Sequence, residues 1–499
     1  MASATAIATR AERHAEREAI KDAAGCHPYS ELLAASERAA SGLLGAARDL
    51  QEQRVAYLIP PSFEHVAVQW GIWRAGCVAV PLSLLHTRPE LKRALRDAEP
   101  TALVIHPDPE HEAAEVARRS GIRVWPAREL LACPPRALPE IDDARRAMIL
   151  YTSGTTGEPK GVVMTHAALR AQMECLAEAW GWTDADRVLL VLPLDHVHGI
   201  VNVLSCALWS GARCDMMPRF DAGETWRRLV EGGLTLFMAV PTIYQRLIAA
   251  WEQAPPRSRR EMSHACRKLR LMVSGSAALP ASVFERWREI SGHTLLERYG
   301  MTETGMVLSN PLDAERRAGS VGTPLPGVEV RLVNERFEDV EPGTGGEILV
   351  RGPGVFLEYW RQPEATAQAF HDGWFRTGDI AILERGRYRI LGRKSVDIIN
   401  TGGYKVSALE IEEVLREHPA IRECAVVGVP DDEWGERVCV AAELQDDTHL
   451  DLETLRDWAA RQLAPYKIPR SLLVVGALPR NPMGKVAKPE VSALFRETS

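Results

Sequence analysis

The stretch "YTSGTTGEPKG", residues 151–161, follows directly on the apolar run of residues 147–150. Residues 152–157 are all Gly, Ser or Thr, and a lysine follows them. Glycine lets backbone N–H groups converge on an anion, while hydroxyl groups and a lysine add donors and positive charge. A polar surface turn is the alternative, but the pattern favours a phosphate-binding loop formed by Thr152, Ser153, Gly154, Thr155, Thr156, Gly157 and Lys160.

This loop differs from the common nucleotide-binding loop, in which G-x-x-x-x-G-K-[ST] leads from a strand into a helix. Here Gly154 and Gly157 are three residues apart, and after Lys160 the residues 161–165 read as a strand. A helical run begins only after Thr165. The sequence therefore predicts a loop that joins two strands and binds ATP in another way.

Composition narrows the class of protein. The chain of 499 residues is too long for one hydrophobic core, which predicts several domains. Its net charge is −7 and it has no cluster of Lys and Arg, which argues against binding of nucleic acid. No apolar run approaches the roughly 18 residues of a membrane-spanning helix, and the N-terminus lacks the apolar core of a secretion signal. The nine cysteines are scattered without a C-x-x-C pair, which is typical of a reducing compartment. We expect a cytoplasmic protein without nucleic-acid or membrane partners, as a monomer or homodimer.

Strand-like and helix-like runs alternate through most of the chain, which predicts an α/β fold with parallel sheets covered by helices. From about residue 320 to 393, short strands with Gly-rich turns predict a smaller β-barrel-like unit. After that, a helical run at 407–419, two strands and another helical run predict a small α+β domain. The predicted domains are therefore 1–393 and 394–499.

The opening stretch resembles the signature of the adenylate-forming enzymes, which include acyl-CoA synthetases, the adenylation domains of peptide synthetases, and luciferases. The other motifs of that family follow in the same order over nearly the whole chain, so the resemblance is specific. They are "LPLDHVHG" (192–199), "GSAALP" (275–280), "RYGMTE" (298–303), "WFRTGD" (374–379), "GRKSVDIINTGGYKVSALEIE" (392–412) and "PRNPMGKVAK" (479–488).

The resemblance implies a two-step reaction that uses ATP, Mg²⁺ and coenzyme A. A carboxylate attacks the α-phosphate of ATP to give acyl-AMP and pyrophosphate, and a thiol then displaces AMP. It also implies that the C-terminal domain is mobile and rotates about a hinge at Lys394 between the two steps. Gly402, Gly403 and Tyr404 would then border coenzyme A, although a Gly-Gly pair is also ordinary turn chemistry.

The resemblance further implies a role for each residue that matches a family motif. Glu303 matches the Mg²⁺ carboxylate, and a hard cation prefers oxygen ligands. Lys485 matches the catalytic lysine of the first step, whereas Lys488 is expected at the surface. The other nucleotide contacts are implied at Thr302 for the α-phosphate, at Asp379 and Arg393 for the ribose, and at Gly275 and Tyr299 for the adenine slot, with Ser276 and Gly300 beside them.

Polar residues occur where the family lines its acyl pocket, and they are His198, Arg246, Ser276 and Arg298. Because guanidinium groups bind carboxylates bidentately, the two arginines predict an acid with a second carboxylate. In this respect the chain looks closest to the malonyl-CoA synthetases. The alternatives are that Arg246 is a solvent-facing helix residue, that Arg298 forms a structural salt bridge, for instance with Glu297, and that some of these side chains contact phosphate or nucleotide.

The predicted function is therefore that of an ATP-dependent malonate–CoA ligase. The alternatives are a CoA ligase for methylmalonate, acetate or propionate, an enzyme that loads a carrier protein, and a non-catalytic nucleotide-binding relative. Intact Glu303, Asp379 and Lys485 argue against the last of these, and the intact G-G-Y-K sequence favours coenzyme A over a carrier. Asn400 stands where relatives often have Lys, and we expect little effect on the first step.

Overall fold

The computed structural model describes residues 5–106, 112–152, 159–402, 404–431, 433–480 and 485–497. Its strands form four sheets. In chain order they are β1 (Glu18–Lys21), β2 (Cys26–Pro28), β3 (Arg54–Leu58), β4 (Val78–Pro81), β5 (Ala102–Ile105), β6 (Arg123–Pro126), β7 (Arg146–Thr152), β8 (Lys160–Thr165), β9 (Arg187–Leu190), β10 (Arg213–Met216), β11 (Leu236–Ala239), β12 (Leu271–Ser274), β13 (Leu296–Met301), β14 (Gly305–Ser309), β15 (Thr323–Pro324), β16 (Glu329–Val333), β17 (Gly346–Arg351), β18 (Glu358–Tyr359), β19 (Phe370–His371), β20 (Trp374–Glu384), β21 (Arg387–Arg393), β22 (Ile398–Thr401), β23 (Tyr404–Ser407), β24 (Ile421–Asp431), β25 (Gly435–Leu444) and β26 (Ser471–Val474).

Helices pack between and around the sheets. Besides the α-helices there are short 3₁₀ helices at Glu12–His14 and Pro465–Lys467 and a π-helix at His198–Ser205. The α-helices are α1 (Ala6–Ala11), α2 (Tyr29–Leu44), α3 (Phe63–Arg74), α4 (Arg88–Ala98), α5 (Glu112–Arg119), α6 (Ala127–Leu131), α7 (His166–Ala179), α8 (Cys206–Trp209), α9 (Ala222–Glu231), α10 (Pro241–Gln253), α11 (Pro256–Cys266), α12 (Ala281–Ser291), α13 (Pro363–Gln368), α14 (Ala408–Leu415), α15 (Leu452–Ala459) and α16 (Lys488–Glu497).

The two large sheets are mainly parallel. One has the order β15-β14-β13-β12-β11-β9-β10-β1-β2, and the other has the order β18-β8-β7-β4-β3-β5-β6. Central strands such as β4, β11 and β12 are buried along their whole length, which is why their sequences are apolar rather than alternating. This architecture confirms the predicted α/β fold. Because β9, β11 and β12 run parallel, their carboxyl ends, and the loops that follow them, meet at one edge of the sheet.

The opening stretch does join two strands. β7 and β8 are antiparallel neighbours, and Thr152 lies opposite Lys160 at the end of the pair that residues 153–159 connect. Helix α7 then begins at His166, where the hydroxyl of Thr165 accepts a hydrogen bond of 3.1 Å from the backbone N–H of Ala168. The loop therefore leads into a strand, and the helix starts only after it.

The two small sheets lie later in the chain. One is an antiparallel sheet with the strand order β16-β17-β20-β19, in which β21 also pairs with β20. The other has the strand order β23-β22-β25-β24, and in it β26 pairs with β25 in parallel. The predicted helix 407–419 is shorter in the structure, because Pro419 disfavours helical geometry in the residue before it. The predicted domain division at residue 394 falls in the turn between β21 and β22 and stays a prediction.

No helix within the described residues combines the length and the apolar character that crossing a membrane requires.

Candidate active site

The hairpin of β13 and β14 carries the residues of the "RYGMTE" motif. Tyr299 and Gly300 lie on β13, and Thr302 and Glu303 occupy the turn. A side chain at Gly300 would not fit, because a Cβ there would lie 2.1 Å from the carbonyl oxygen of Gly305 on the facing strand. The glycine therefore lets the hairpin close tightly and holds Glu303, which is buried, under the turn.

Asp379 is the centre of a cluster that we call the nucleotide end, which consists of Tyr299, Asp379 and Arg393. The Tyr299 hydroxyl donates a hydrogen bond of 2.6 Å to Oδ2 of Asp379, and Nε of Arg393 donates one of 2.8 Å to Oδ1. Arg393 lies directly across from Asp379 in the β20–β21 ladder. The hydroxyl of Thr377 accepts a hydrogen bond of 3.0 Å from the backbone N–H of Asp379 and so helps to fix the position of that residue.

The charges of the nucleotide end reinforce one another. Burial alone would lower the pKa of Arg393, but the Asp379 carboxylate outweighs it and holds that pKa above its ordinary value. Burial, with the Asp379 charge second, raises the pKa of Tyr299 well above its ordinary value, so the hydroxyl stays a donor. The ring, the carboxylate and the guanidinium are thus fixed in place by protein groups alone.

Glu303 lies near this cluster and has a different environment. Oε1 accepts a hydrogen bond of 3.0 Å from the hydroxyl of Tyr359, and no Lys, Arg or His of the described residues forms an ion pair with the carboxylate. Burial raises the pKa of Glu303. A buried carboxylate without an ion-pair partner suits a hard divalent cation, and so the donor present fits Mg²⁺.

A second cluster, which we call the acid end, consists of His198, Ser276 and Arg298. The guanidinium of Arg298 packs over Gly275, where a Cβ would lie 2.5 Å from Cζ of the arginine. Nδ1 of His198 and Oγ of Ser276 are 3.1 Å apart, and Ser276 has a left-handed backbone with φ of 71°. His198 is the first residue of the π-helix. The structure therefore brings three of the four predicted acid-binding residues together.

The acid end contains buried donors that lack partners. Arg298 is 3% exposed, and its Nε and Nη2 have no hydrogen-bond partner among the described residues; the same holds for Nε2 of His198. Burial lowers the pKa of Arg298 to about 9. Burial, with the charge of Arg298 second, lowers the pKa of His198 well below its ordinary value, so the imidazole is neutral. An anion in this place would satisfy both groups.

Arg246 and Glu297, the alternative partner of Arg298, have other environments. Arg246 is exposed on α10, and its guanidinium forms no hydrogen bond or ion pair within the described part of the chain. Its assignment to the acid pocket stays a prediction. Glu297 forms no salt bridge with Arg298. Its Oε1 accepts the backbone N–H of Leu279 at 3.1 Å, and burial raises the pKa of Glu297 to about 8.

Lys485 lies within electrostatic reach of both clusters. The pKa of its ammonium is lowered, first by the protein that surrounds it and then by the charges of Arg393 and Arg298, while Asp379 acts in the opposite direction. The residue nevertheless keeps solvent-exposed surface. A bridge between Arg480 and Val486 holds the chain on either side of it. The C-terminal segment therefore presents Lys485 to both the nucleotide end and the acid end.

Lys488 is not at the surface, and that expectation was wrong. Its Nζ lies 2.6 Å from Oδ1 of Asp397 and 2.7 Å from Oε1 of Glu412, and its side chain is only 10% exposed. The two carboxylates offset the cost of burying the ammonium and raise its pKa. Asp397 also accepts the backbone N–H of Arg393 at 2.9 Å. Lys488 thus ties α16 to the turn after β21.

The predicted hinge and coenzyme A residues lie close to that turn. The backbone N–H of Lys394 donates to the carbonyl of Gly378 at 2.8 Å. Gly402 has a left-handed backbone with φ of 55°. Tyr404 is 54% exposed and stacks on Tyr466 with ring centroids 4.2 Å apart. The functional roles of these residues stay predictions.

Several predicted contacts fall outside the described residues. They are Ser153, Gly154, Thr155, Thr156 and Gly157 of the phosphate-binding loop, and Gly403. Thr152 and Lys160, at the two ends of the loop, are described and lie opposite each other.

One residue of the site carried no signal in the sequence. Tyr359 bonds Glu303 through its hydroxyl, and its ring faces the ammonium of Lys160 at 4.8 Å. It belongs to a strand of two residues, far in sequence from both partners, and such a strand has too little alternation to be recognised. Only the fold brings these three side chains together.

The chain is similar to known proteins over most of its length. Residues 7–360 match the family model described as AMP-binding enzyme, and residues 410–485 match the AMP-binding enzyme C-terminal domain. The mitochondrial malonate–CoA ligase of Mus musculus is 45% identical, covering 97% of this chain and 89% of that protein. The malonate–CoA ligase of Arabidopsis thaliana is 42% identical, covering 89% and 78%. The crystal structure of ATP-bound MatB from Rhodopseudomonas palustris superimposes with a TM-score of 0.90 at 35% identity, covering 98% of this chain and 99% of that one.

Proposed function

This chain belongs to the AMP-binding enzyme family, and from that premise we propose that it is an ATP-dependent malonate–CoA ligase. Malonate attacks the α-phosphate of ATP to give malonyl-AMP and pyrophosphate, and the thiol of coenzyme A then displaces AMP. The observation that carries the choice of acid is Arg298, which is buried at the acid end with two donor nitrogens that have no partner among the described residues.

The charge of malonate explains why such an arginine is useful. One carboxylate must reach the α-phosphate, which leaves the second to be buried in the protein. A buried carboxylate is costly unless it is paired and hydrogen-bonded, and a guanidinium supplies both charge and paired donors. Arg298 and the neutral imidazole of His198 would bind this second carboxylate, with Ser276 orienting the imidazole. An acid without a second carboxylate would leave these donors buried and unpaired.

The nucleotide end supports the first step. Asp379 would accept the two ribose hydroxyls, since a carboxylate has lone pairs to spare beyond its bonds to Tyr299 and Arg393. Glu303 would hold Mg²⁺, which neutralises phosphate charge when it is bound. Lys485 would donate to the oxygens on which negative charge develops as the carboxylate attacks the α-phosphate. Thr152 and Lys160 would contact the leaving phosphates.

The proposal extends to the partners, the oligomeric state and the cellular compartment of the enzyme. ATP, coenzyme A and malonate are its small-molecule partners, and a monomer or homodimer is the proposed assembly. The scattered cysteines support a reducing compartment such as the cytoplasm. The mouse relative is named mitochondrial, so localisation of the tagged chain in its own cell tests this proposal.

A pyrophosphate-release screen tests the proposed function. Malonate, methylmalonate, succinate, acetate and benzoate are each supplied with ATP and Mg²⁺, with and without coenzyme A. We expect the highest kcat/KM with malonate and a thioester product only with coenzyme A. A preference for acetate or benzoate would contradict the assignment of malonate and leave the enzyme class intact. A thioester on a carrier protein without turnover of free coenzyme A would favour the carrier-loading alternative.

A further inference from the structure

Tyr359 lies where strand β8, which begins with Lys160, meets the β13–β14 turn, which carries Glu303. It lies on β18, which pairs with β8 so that Tyr359 is opposite Val162. Backbone hydrogen bonds fix the flanking residues, since Leu357 donates to Val163 at 2.8 Å and Trp360 donates to Gly161 at 2.7 Å. The side chain is therefore placed by the strand pairing and has little freedom of its own.

The same segment is also joined to the hairpin turn that carries Glu303. The backbone N–H of Phe356 donates to the carbonyl of Glu303 at 2.7 Å, and the hydroxyl of Tyr359 donates to its carboxylate at 3.0 Å. Residues 356–360 thus hydrogen-bond to β8 on one side and to Glu303 on the other. Tyr359 is 7% exposed, so its hydrogen bond lies away from bulk water, where it is strengthened.

The ring of Tyr359 makes a separate contact. Nζ of Lys160 lies 4.8 Å from the ring centroid, a distance at which an ammonium is attracted to the negative face of an aromatic ring. The hydroxyl and the ring face therefore act on two groups of opposite charge that have no direct contact with each other among the described interactions. One side chain orients a carboxylate through its edge and a cation through its face.

We propose that Tyr359 is a positioning residue that couples the metal-binding carboxylate Glu303 to the phosphate-binding cation Lys160. This inference rests on the roles proposed above for Glu303 and Lys160, but it does not depend on which acid the enzyme uses. The hydroxyl fixes one oxygen of Glu303, which restricts the orientation of the carboxylate toward Mg²⁺. The ring holds the ammonium of Lys160 where the phosphates of ATP arrive.

Two substitutions separate the two contacts. Tyr359→Phe removes the hydroxyl bond to Glu303 and keeps the ring beneath Lys160, whereas Tyr359→Leu removes both. Tyr388→Phe is a matched control, because Tyr388 is similarly buried and contacts neither Glu303 nor Lys160 among the described interactions. Binding of ATP is measured by titration calorimetry without any acid or coenzyme A, once with Mg²⁺ and once with EDTA.

We expect Tyr359→Phe to weaken ATP binding about tenfold with Mg²⁺, in line with the loss of a hydrogen bond to a charged group, and to change it less than about twofold with EDTA. Tyr359→Leu is expected to weaken binding in both conditions, because Lys160 also loses its support. Tyr388→Phe should match the wild type. Circular dichroism confirms folding, and Tyr359→Met replaces Tyr359→Leu if the latter does not fold.

Two results would overturn the proposal. The first is that Tyr359→Phe binds ATP within about twofold of the wild type with Mg²⁺, or loses affinity equally with Mg²⁺ and with EDTA. Either outcome would mean that the hydroxyl has only a structural role. The other is a ring-less variant that binds ATP normally in EDTA, which would remove the coupling to Lys160. Because no acid is present, neither result depends on the assignment of malonate.

Discussion

The nucleotide end and the acid end both act electrostatically on Lys485 but are organised in opposite ways. At the nucleotide end, both oxygens of Asp379 already accept hydrogen bonds from protein donors. At the acid end, Arg298 and His198 keep buried nitrogens for which the described residues supply no acceptor. Leaving a buried donor unpaired costs on the order of 1–3 kcal/mol, so such donors are expected where a ligand supplies the missing acceptor.

This difference shows what each cluster can contribute. The nucleotide end is already hydrogen-bonded by protein groups, and its proposed task is to present a carboxylate and a ring to ATP. The acid end has buried donors without partners among the described residues, so its proposed contribution to binding depends on the charge of the acid. Selectivity among acids is therefore expected to arise at Arg298, and affinity for nucleotide at Asp379.

The largest effect should come from Lys485, which serves both clusters. Lys485→Ala is expected to slow malonyl-AMP formation by about 10³-fold, because it removes a donor to charge that develops in the transition state. Thioester formation from supplied malonyl-AMP should remain largely intact. Single-turnover assays of the two half-reactions measure this, and an equal loss in both would show that Lys485 has another role.

Arg298 offers the sharpest test of the acid end. Arg298→Ala is expected to lower kcat/KM for malonate by about 10²–10³-fold, since removing the partner of a buried carboxylate costs roughly 3–5 kcal/mol. Acetate activity should fall much less, and ATP affinity should be unchanged. Steady-state kinetics with both acids checks this, and equal losses for the two acids would contradict a role in binding the second carboxylate.

Arg246 is the matched comparison for that variant. Because its side chain is exposed, solvent screens its charge, and exposed ion pairs contribute only about 0–1 kcal/mol. Arg246→Ala is therefore expected to lower kcat/KM for malonate less than about tenfold. A loss as large as that of Arg298→Ala would mean that α10 closes over the acid when malonate binds.

At the nucleotide end a smaller effect is expected. Tyr299→Phe removes one of the two protein donors to Asp379 and keeps the ring beside the adenine slot. The carboxylate is still held by Arg393, so we expect KM for ATP to rise about three- to tenfold with little change in KM for malonate. A change in KM for malonate alone would mean that the two clusters are not separate.

The smallest effect concerns Glu297. Burial raises the pKa of this carboxyl group to about 8. As pH rises from about 4.5 toward 8, the unfolded chain releases this proton while the folded protein keeps it, and so folding loses stability over that range. Glu297→Gln should therefore raise Tm relative to the wild type at pH 8, by on the order of 2 °C, with a gain that shrinks toward pH 5. A gain of equal size at both pH values would show that ionisation is not the cause.

The sequence predicted the fold class and a loop at residues 153–159 that leads from one strand into another. Alternating strand and helix signals, and the absence of a helix directly after Lys160, were enough for both. The resemblance to a family supplied the residues of the nucleotide end and Lys485. The fold class and the strand-to-strand loop are confirmed because they depend on local sequence, whereas the roles of the nucleotide-end residues and of Lys485 stay predictions.

The predictions that failed, or could not be made, depend on long-range packing. Lys488 is buried because Asp397 and Glu412 come to it from distant parts of the chain. The alternative salt bridge between Glu297 and Arg298, adjacent in sequence, does not form because successive side chains on a strand point to opposite faces. Tyr359 meets Glu303 and Lys160 only after β18, β8 and the β13–β14 hairpin have assembled.

The backbone of Ser276 has a consequence for redesign of the enzyme. Its φ of 71° lies in the left-handed region, which side chains other than Gly, Asn and Asp rarely adopt, and β-branched residues least of all. Glycine, asparagine and aspartate at this position are therefore expected to keep the loop conformation, whereas β-branched residues would add backbone strain and are expected to be lost first from a library selected for altered acid preference.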